Sequence, residues 1–467
     1  MNSPAYQAAL QRLYSRINYE LATPTQPGVF KLERMHRLLA KVGDPHRSFP
    51  AVHVAGTKGK GSTSVMIASV LQEAGYRTGL YTSPHLECLE ERMLVGGERC
   101  APSVLAELTD IVWPAVEQSD REAARDNEAG PTFFEITTAM AMLYFANEGV
   151  DIGVLEVGLG GRLDSTNVCM PIASVITNIS FDHMRQLGST LAEIAREKAG
   201  IIKPGTPVVH GAIEPEPRGV IEQIANERGC RLFELGRDFE VSVAAKDPLD
   251  ATGPKRLNFT DHVTSTRVEE IELGVHGAHQ ANNAAIALAT IARLPALGFR
   301  VSESAMRSGL SKTRLPGRVE VLNRSPDVVL DTAHNVASVQ ALLAALDEIS
   351  GSSSQQHTLI YATSDDKDVR GMLKLLTRRF DRIVLTRFQT NPRAADPCAL
   401  GDLVGPTCEA TVVDDPRKAW RRAYGEASSD SLICVAGSFF LAAELRPVIV
   451  AQFSNAKPAV AGEDSPA

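Results

Sequence analysis

Two kinds of apolar pattern alternate along this chain of 467 residues. Short runs of consecutive apolar residues without polar alternation are typical of strands that are buried on both faces. These runs lie at residues 52–55, 152–155, 173–176 and 207–209. Between them, at 31–39, 135–144 and 190–199, apolar residues recur every three or four positions, as in amphipathic helices. The alternation predicts an α/β fold whose parallel sheet is covered on both faces.

The pattern changes in the middle of the chain and then resumes. Short alternating runs at residues 239–275 predict a small antiparallel element, and an alanine-rich helix follows at 278–291. Further strands are predicted at 328–330, 358–361, 382–385 and 432–435, and further helices at 337–346, 369–376 and 416–426. We therefore predict a larger domain at 1–312, a smaller Rossmann-like α/β domain at 313–454 and a disordered tail at 455–467.

Composition narrows the class of protein. The chain is 44% apolar and 22% charged, as ordinary globular proteins are. Its net charge of −8 creates no field that attracts nucleic acid, so an anionic substrate needs a local cluster of cations. The seven cysteines are scattered without a CxxC pair, which favours reduced thiols, and no apolar run is long enough for a membrane span. We expect a cytoplasmic protein that binds neither nucleic acid nor membranes.

A glycine-rich loop lies between the first buried strand and a helical segment. Its residues are Gly56, Thr57, Lys58, Gly59, Lys60, Gly61 and Ser62. Such a loop turns backbone N–H groups inward at a helix N-terminus, and its lysine reaches the outer phosphates of a nucleotide. The Walker pattern is not met in full, because Val54 replaces its first glycine and Gly61 takes the Ser/Thr position. The alternative is a glycine-rich turn that binds nothing.

Polar residues follow other predicted strands. Glu156 ends a buried strand, Ser83 opens a Ser-Pro-His turn, and His183 follows Asp182 after the next strand. Oxygen ligands with one imidazole suit Mg²⁺ beside a nucleotide phosphate, whereas a structural salt bridge is the alternative for Glu156. Ligands of such folds bind at the carboxyl ends of strands, and a cleft between the two domains is the expected place.

Five further residues are candidates for which a purely structural interpretation is the ordinary one. Lys198 lies in the last turn of a helix, where a cation ordinarily compensates the helix dipole. Asn283 either contacts adenine or caps its helix. Asp331 and His334 follow a buried strand and either cap the next helix or face the cleft. Arg318 is either an anion clamp or a solvated surface residue.

Taken in order, these motifs resemble the folate branch of the Mur ligase family, the folylpolyglutamate synthases and bifunctional dihydrofolate synthases. The resemblance extends from about residue 32 to 441, and its motifs lie at 56–63, 83–85, 156–167 (EVGLGGRLDSTN), 182–183, 198–203 (KAGIIK), 316–318, 331–335 and 366–368. Gly61 separates the chain from the muramyl ligases, which usually have threonine after the loop lysine.

The resemblance implies a Mur-ligase-like fold, ATP and Mg²⁺ as cofactors, and a role for each candidate residue. The phosphate loop maps to residues 56–62, the Mg²⁺ ligands to Ser83, Glu156 and His183, and the adenine contact to Asn283. The catalytic residues map to Lys60, to Lys198 as a carbamylated lysine, and to Asp331 and His334 in glutamate handling, while Arg318 maps to an ATP phosphate contact. The chain departs from the family pattern at three positions. It has Leu315 where tryptophan is common, Thr332 where the motif has glycine, and Lys58 where many bacterial members have asparagine.

The activity that the resemblance implies is ATP-dependent ligation of L-glutamate to dihydropteroate, to tetrahydrofolate polyglutamates, or to both, through an acyl phosphate. We predict the bifunctional enzyme, acting as a monomer. A monofunctional folylpolyglutamate synthase is the alternative, because Lys58 also occurs in eukaryote-type members. Two other hypotheses are a non-catalytic nucleotide-binding regulator with the same fold and a ligase for cell-wall precursors.

Overall fold

The computed structural model describes residues 3–19, 31–244, 256–350, 356–406 and 408–454. The chain divides into two compact units. The larger unit ends at Arg314. The smaller unit consists mainly of the chain from Leu315 onward, and the earlier segment Val275–Ala278 also belongs to it. The predicted tail at 455–467 lies outside the described residues.

The larger unit is built on a mostly parallel sheet. Its strands are β1 (Ala51–Ala55), β2 (Thr78–Tyr81), β3 (Met93–Val95), β4 (Glu98–Arg99), β5 (Ile152–Glu156), β6 (Pro171–Ile176), β7 (Val208–His210) and β8 (Leu232–Glu234). Their order within the described residues is β4-β3-β2-β5-β1-β6-β7-β8. The predicted parallel sheet is confirmed for the six neighbouring strands β2-β5-β1-β6-β7-β8. Strands β3 and β4 add an antiparallel edge that the apolar pattern does not predict.

Helices cover this sheet. They are α1 (Pro4–Tyr14), α2 (Leu32–Lys41), α3 (Lys60–Glu73), α4 (Pro102–Arg125), α5 (Phe133–Asn147), α6 (Met184–Leu187), α7 (Leu191–Ala199) and α8 (Pro215–Glu227). Thr132 with Glu135, and Thr190 with Glu193, form capping boxes that start α5 and α7. Buried side chains such as Leu155 and Ile176 belong to two separate apolar clusters of this unit.

A small antiparallel sheet completes the larger unit, as the alternating pattern predicts. It consists of β9 (Phe239–Val243), β10 (Arg256–Asp261) and β11 (Thr266–Glu272), followed by α9 (His279–Ile291) and α10 (Glu303–Lys312). Every second side chain of β10 is buried, including Phe259, so one face of the sheet is apolar.

The smaller unit contains a second sheet with its own core. Its strands are β12 (Glu320–Asn323), β13 (Asp327–Leu330), β14 (His357–Tyr361), β15 (Arg382–Leu385), β16 (Glu409–Val412) and β17 (Leu432–Ala436). Its helices are α11 (Val336–Ser350), α12 (Val369–Leu376), α13 (Pro397–Gly401), α14 (Pro416–Gly425) and α15 (Phe439–Ser454). In the described residues the strand order is β12-β13-β17-β14-β15-β16, and the β12–β13 pair is antiparallel. The predicted α/β alternation is confirmed.

All seven cysteines are unpaired in the structure. Cys398, in α13, is exposed, Cys88 is half-buried, and the other five are buried. Across the described ranges, no helix combines the length and the apolar character that a bilayer crossing requires.

Candidate functional site

The glycine-rich loop connects β1 to the N-terminus of α3, as predicted. Gly59, immediately before the helix, has φ 85°, a backbone angle that residues with a side chain rarely adopt. A Cβ atom at Gly59 would lie 2.3 Å from Asn283 Oδ1, and one at Gly56 would lie 1.9 Å from Thr177 Oγ1. Both glycines are therefore required by the space around them. The helix N-terminus turns its free N–H groups and positive dipole toward this loop.

The end of β6 fixes the shape of the loop. The N–H of Thr57 donates to Asn178 O and the N–H of Lys58 to Asn178 Oδ1, both at 2.8 Å. Thr177 Oγ1 donates to Lys58 O at 2.7 Å. Thr177 and Asn178 were not among the predicted site residues, although polar residues directly after a buried strand are a signal that could have identified them.

Lys198 lies against the loop and is only 3% exposed. Its Nζ donates to Gly56 O at 2.8 Å. Burial, assisted by the charge of Lys60, lowers the pKa of Lys198 to about 7, while Asp182 and Asp164 act in the opposite direction. The amine is thus buried beside the glycine-rich loop, an environment that dipole compensation alone does not require.

Glu156 is placed beside the start of α3 by the pairing of β5 with β1. Its carboxylate is buried, and its Oε2 accepts the N–H of Ser83 at 3.0 Å. A Cβ atom at Gly61 would lie 3.4 Å from both carboxylate oxygens. The structure therefore brings together Ser83, Glu156 and the first turn of α3.

His183 directly precedes α6 in a left-handed conformation, with φ 48° and a side chain that is 56% exposed. Its Nε2 lies 3.8 Å from Asp182 Oδ1. Among the residues that the structure describes, no three His, Cys, Asp or Glu side chains are arranged to hold a metal ion. The predicted set has only two such side chains, so a hydroxyl, water and phosphate oxygens would supply the other ligands. A carboxylate with oxygen co-ligands is the donor chemistry that Mg²⁺ prefers, and in this respect the residues fit.

Asn283 belongs to the second turn of α9, beyond the position of an N-cap. Its Nδ2 donates to Gln280 Oε1 at 2.9 Å, and its Oδ1 lies next to Gly59. The capping interpretation is thereby excluded for this side chain, which the structure places against the glycine-rich loop.

In the smaller unit, Arg318 lies in a turn that precedes β12. Its Nη1 donates to Thr332 Oγ1 at 2.8 Å, and the N–H of Thr332 donates to Gly317 O at 3.0 Å. The turn is thus joined to the segment that follows β13. Arg318 is exposed, and its guanidinium is anchored to Thr332 by this hydrogen bond.

Asp331 follows β13 and is buried. Its Oδ2 accepts the N–H of Val319 and its Oδ1 the N–H of Ala333, both at 2.7 Å. Burial raises the pKa of Asp331, and the charge of Arg318 opposes that rise. Asp331 does not cap α11, because the N–H of Ser338 donates to Asn335 Oδ1 instead.

His334 is held by its own segment. Its Nδ1 lies 2.8 Å from Thr332 O. A carbonyl oxygen only accepts hydrogen bonds, so Nδ1 carries a proton and donates it to Thr332 O. The structure therefore gathers Arg318, Asp331 and His334 around Thr332.

Comparison with known proteins covers both units. The family model described as "Mur ligase middle domain" matches residues 54–291, and "Mur ligase, glutamate ligase domain" matches 317–439. The chain is similar to the dihydrofolate synthase/folylpolyglutamate synthase of Bacillus subtilis, with 36% identity over 95% of this chain and 98% of that one. It is similar to the folylpolyglutamate synthase of Lacticaseibacillus casei, with 33% identity over 89% and 94% of the two chains.

Among solved structures, the chain resembles the Mycobacterium tuberculosis folylpolyglutamate synthase complexed with ADP. The TM-score is 0.82, with 30% identity over 95% of this chain and 98% of that chain. The similarity therefore extends over both units and is not limited to the glycine-rich loop.

Proposed function

We infer, from the membership of this chain in the Mur ligase family, that it is an ATP-dependent ligase that joins L-glutamate to a folate-type acid through a new C–N bond. The observation that carries this conclusion is identity of 36% to a dihydrofolate synthase/folylpolyglutamate synthase along nearly the whole of both chains. The glycine loop, Glu156 and Lys198 of the larger unit supply a setting for ATP.

We propose that the reaction begins with activation of the acid. An oxygen of the substrate carboxylate attacks the γ-phosphorus of ATP, the bond to the β,γ-bridging oxygen breaks, and ADP leaves. The acyl phosphate formed is an electrophile, which the free carboxylate is not. Lys60 and the N–H groups at the start of α3 neutralise charge on the phosphates. Bound Mg²⁺, held by Ser83, Glu156 and His183, would supply further positive charge at this point.

The second step forms the amide. The amine nitrogen of glutamate attacks the acyl carbon, the resulting tetrahedral intermediate expels inorganic phosphate, and the nitrogen loses a proton. We assign that proton to Nε2 of His334, because Nδ1 already donates to Thr332 O. Arg318 contacts the phosphates of ATP, and Asp331 holds the backbone next to Arg318.

Lys198 has the chemistry of a lysine that reacts with carbon dioxide. A pKa of about 7 leaves a substantial fraction of neutral, nucleophilic amine near neutral pH. Attack on carbon dioxide with loss of a proton gives a carbamate, which is an anionic oxygen donor beside the phosphate loop. We propose this modification on the basis of the burial of Lys198 and its contact with Gly56.

We propose that the chain uses both dihydropteroate and reduced folates, as the name of the Bacillus subtilis relative states for that protein. ADP release should be measured with glutamate and dihydropteroate, and separately with glutamate and tetrahydrofolate. Activity with both acids supports the bifunctional enzyme, and activity with tetrahydrofolate alone supports the monofunctional one. ATP binding without ADP release with either acid would contradict the proposal and favour a nucleotide-binding regulator.

Two substitutions test the roles in the larger unit. Lys60→Ala should reduce ADP formation at least about 100-fold, because the variant lacks the positive charge that neutralises the transferred phosphoryl group. Glu156→Gln should raise the Mg²⁺ concentration needed for half-maximal activity. Glu73→Gln, at the other end of α3 and bonded to Ser308 and Lys312, is the matched control and should leave the Mg²⁺ requirement unchanged. Normal ADP formation by Lys60→Ala would contradict the proposal.

We also propose that the chain acts as a monomer and that it is located in the cytoplasm. Small-molecule substrates require no second chain for the chemistry written above. Sedimentation of the chain as a single species of about twice its 50.3 kDa mass would contradict the monomer.

A further inference from the structure

The backbone on both sides of Arg318 has an unusual conformation. Gly317 has φ 69°, and Val319 has φ 46°. The second value is a genuine outlier, because a β-branched side chain in the left-handed region is crowded against its own backbone. Such a conformation persists only where the surrounding structure holds it, and it concentrates at functional sites.

Two carboxylates hold this strained turn through its N–H groups. Glu320 Oε2 accepts the N–H of Gly317 at 2.8 Å, and Asp331 Oδ2 accepts the N–H of Val319 at 2.7 Å. The residue before Arg318 and the residue after it are therefore both tied to an acid.

Arg446 of α15 holds the first of these carboxylates. Its Nε lies 2.8 Å from Glu320 Oε2, and its Nη2 lies 2.6 Å from Glu320 Oε1. The two side chains are 15% and 18% exposed, so water screens the pair only weakly. This two-point geometry fixes the plane of the carboxylate, which a lysine ammonium would not do.

The guanidinium of Arg318 has a separate anchor. Its Nη1 donates to the hydroxyl of Thr332, which is buried.

We propose that Thr332 and the Glu320–Arg446 ion pair are positioning residues for Arg318 and hold its guanidinium ready for the phosphates of ATP. The proposal rests on the proposed role of Arg318 in ATP binding. A guanidinium that is already fixed loses less conformational freedom when ATP binds, so the anchors increase the efficiency with ATP.

Thr332 provides the sharpest test, because valine has its shape without the hydroxyl. Thr332→Val should lower kcat/KM for ATP about five- to tenfold, since a hydrogen bond to a charged group is lost. The KM for glutamate should change less than about twofold, and Thr332→Ser should retain wild-type kinetics. In an Arg318→Ala background, Thr332→Val should have no further effect, because the residue through which Thr332 acts is absent.

Arg446→Met and Arg446→Lys test the other anchor by the same measurements, with the thermal unfolding midpoint recorded for each variant. Both should lower kcat/KM for ATP, and lysine should restore only part of the loss. If Arg446→Met does not fold, the Thr332→Val and Thr332→Ser pair decides the question. Wild-type kinetics of Thr332→Val, or a further loss when it is added to Arg318→Ala, would overturn the proposal. Wild-type kinetics of Arg318→Ala would instead refute the proposed role of Arg318 itself.

Discussion

Gly59 and Gly61 lie two positions apart in the phosphate loop but are glycine for different reasons. Gly59 has a left-handed backbone, and a Cβ atom there would meet Asn283 at 2.3 Å. Gly61 has ordinary helical surroundings, and a Cβ atom there would only touch the carboxylate of Glu156 at 3.4 Å. The first glycine is therefore needed for folding, and the second for the space around the acid.

Alanine at each position separates these two requirements. Gly59→Ala should lower the free energy of unfolding by about 1–3 kcal/mol, because alanine is strained at this φ and its methyl group would collide with the side chain of Asn283. Gly61→Ala should keep the wild-type thermal midpoint but raise the Mg²⁺ concentration needed for activity. Thermal unfolding and Mg²⁺ titrations of ADP release measure both effects. Equal loss of stability in the two variants would contradict this assignment.

The sequence predicts which residues carry the chemistry but not how each is held. Lys198 and Gly56 are 142 positions apart, and no local pattern indicates that the amine of one bonds to the carbonyl of the other. The burial of Lys198 likewise depends on packing between distant segments. The motif identifies this lysine, and only the structure shows its contact with the loop.

At the scale of elements, the two segments with the motifs at 156–167 and 198–203 fit into each other. The N–H of Arg162 donates to Glu197 O at 2.8 Å, and Nδ2 of Asn167 donates to Gly200 O at 3.3 Å. In the opposite direction, Nζ of Lys203 donates to Asn167 O at 2.9 Å. The end of α7, and with it Lys198, is therefore fixed by the segment that follows Glu156.

Gly200 packs closely against Arg162 of the other segment. A Cβ atom there would lie 2.4 Å from Arg162 Cβ and 2.6 Å from its Cα. Gly200→Ala should therefore lower the free energy of unfolding by about 1–3 kcal/mol, because backbone must move to admit the methyl group. Urea unfolding monitored by circular dichroism measures the change.

Gly219 is the matched control for this substitution. It lies on the exposed side of α8, and a Cβ atom there would have no neighbour within 4 Å. Gly219→Ala should raise the free energy of unfolding by about 0.5–1 kcal/mol, since alanine favours a helix. A loss of stability in Gly219→Ala would contradict the conclusion that the space around each glycine determines the effect of the added methyl group.

Apolar runs predict β1, β5, β6 and β7 of the larger sheet and β13, β14, β15 and β17 of the smaller one, but they miss β2 and the edge strands. β16 has no buried side chain along its length, so it lacks the continuous apolar run that identifies β14 and β17. The edge strands β3 and β4 are only three and two residues long, too short for any period to emerge. Edge strands are chosen by pairing with a neighbour, which a local pattern does not record.

At the scale of the whole molecule, buried histidines make the larger unit sensitive to acid. His53 and His210 are fully buried in β1 and β7. Burial above all lowers the pKa of His53 to about 3 and that of His210 to about 4. In the unfolded chain both titrate near about 6.5. Between pH 4 and 6.5 the unfolded state thus binds more protons than the folded state, and stability falls as the pH falls.

His210→Gln should reduce this acid sensitivity. Each histidine contributes up to about 1.4 kcal/mol per pH unit to the slope of unfolding free energy against pH, and the variant loses one such contribution. Above about pH 7.5, one unit above the pKa of histidine in the unfolded chain, the slopes of variant and wild type should coincide. Urea unfolding at several pH values from 4.5 to above 7.5 measures the slopes. An unchanged slope below pH 6 would contradict the prediction.

The uneven exposure of the cysteines gives the chain a built-in attachment point. Thiol reagents attack the deprotonated sulfur, and burial raises the pKa of the half-buried Cys88 to about 11, so its reaction at neutral pH is slow. Five other sulfurs are shielded by packing, which leaves Cys398 as the one that a maleimide dye reaches first. A fluorophore can therefore be placed on the smaller unit of the native enzyme without engineering a new residue, and slower labelling of the remaining thiols would report the opening of each core.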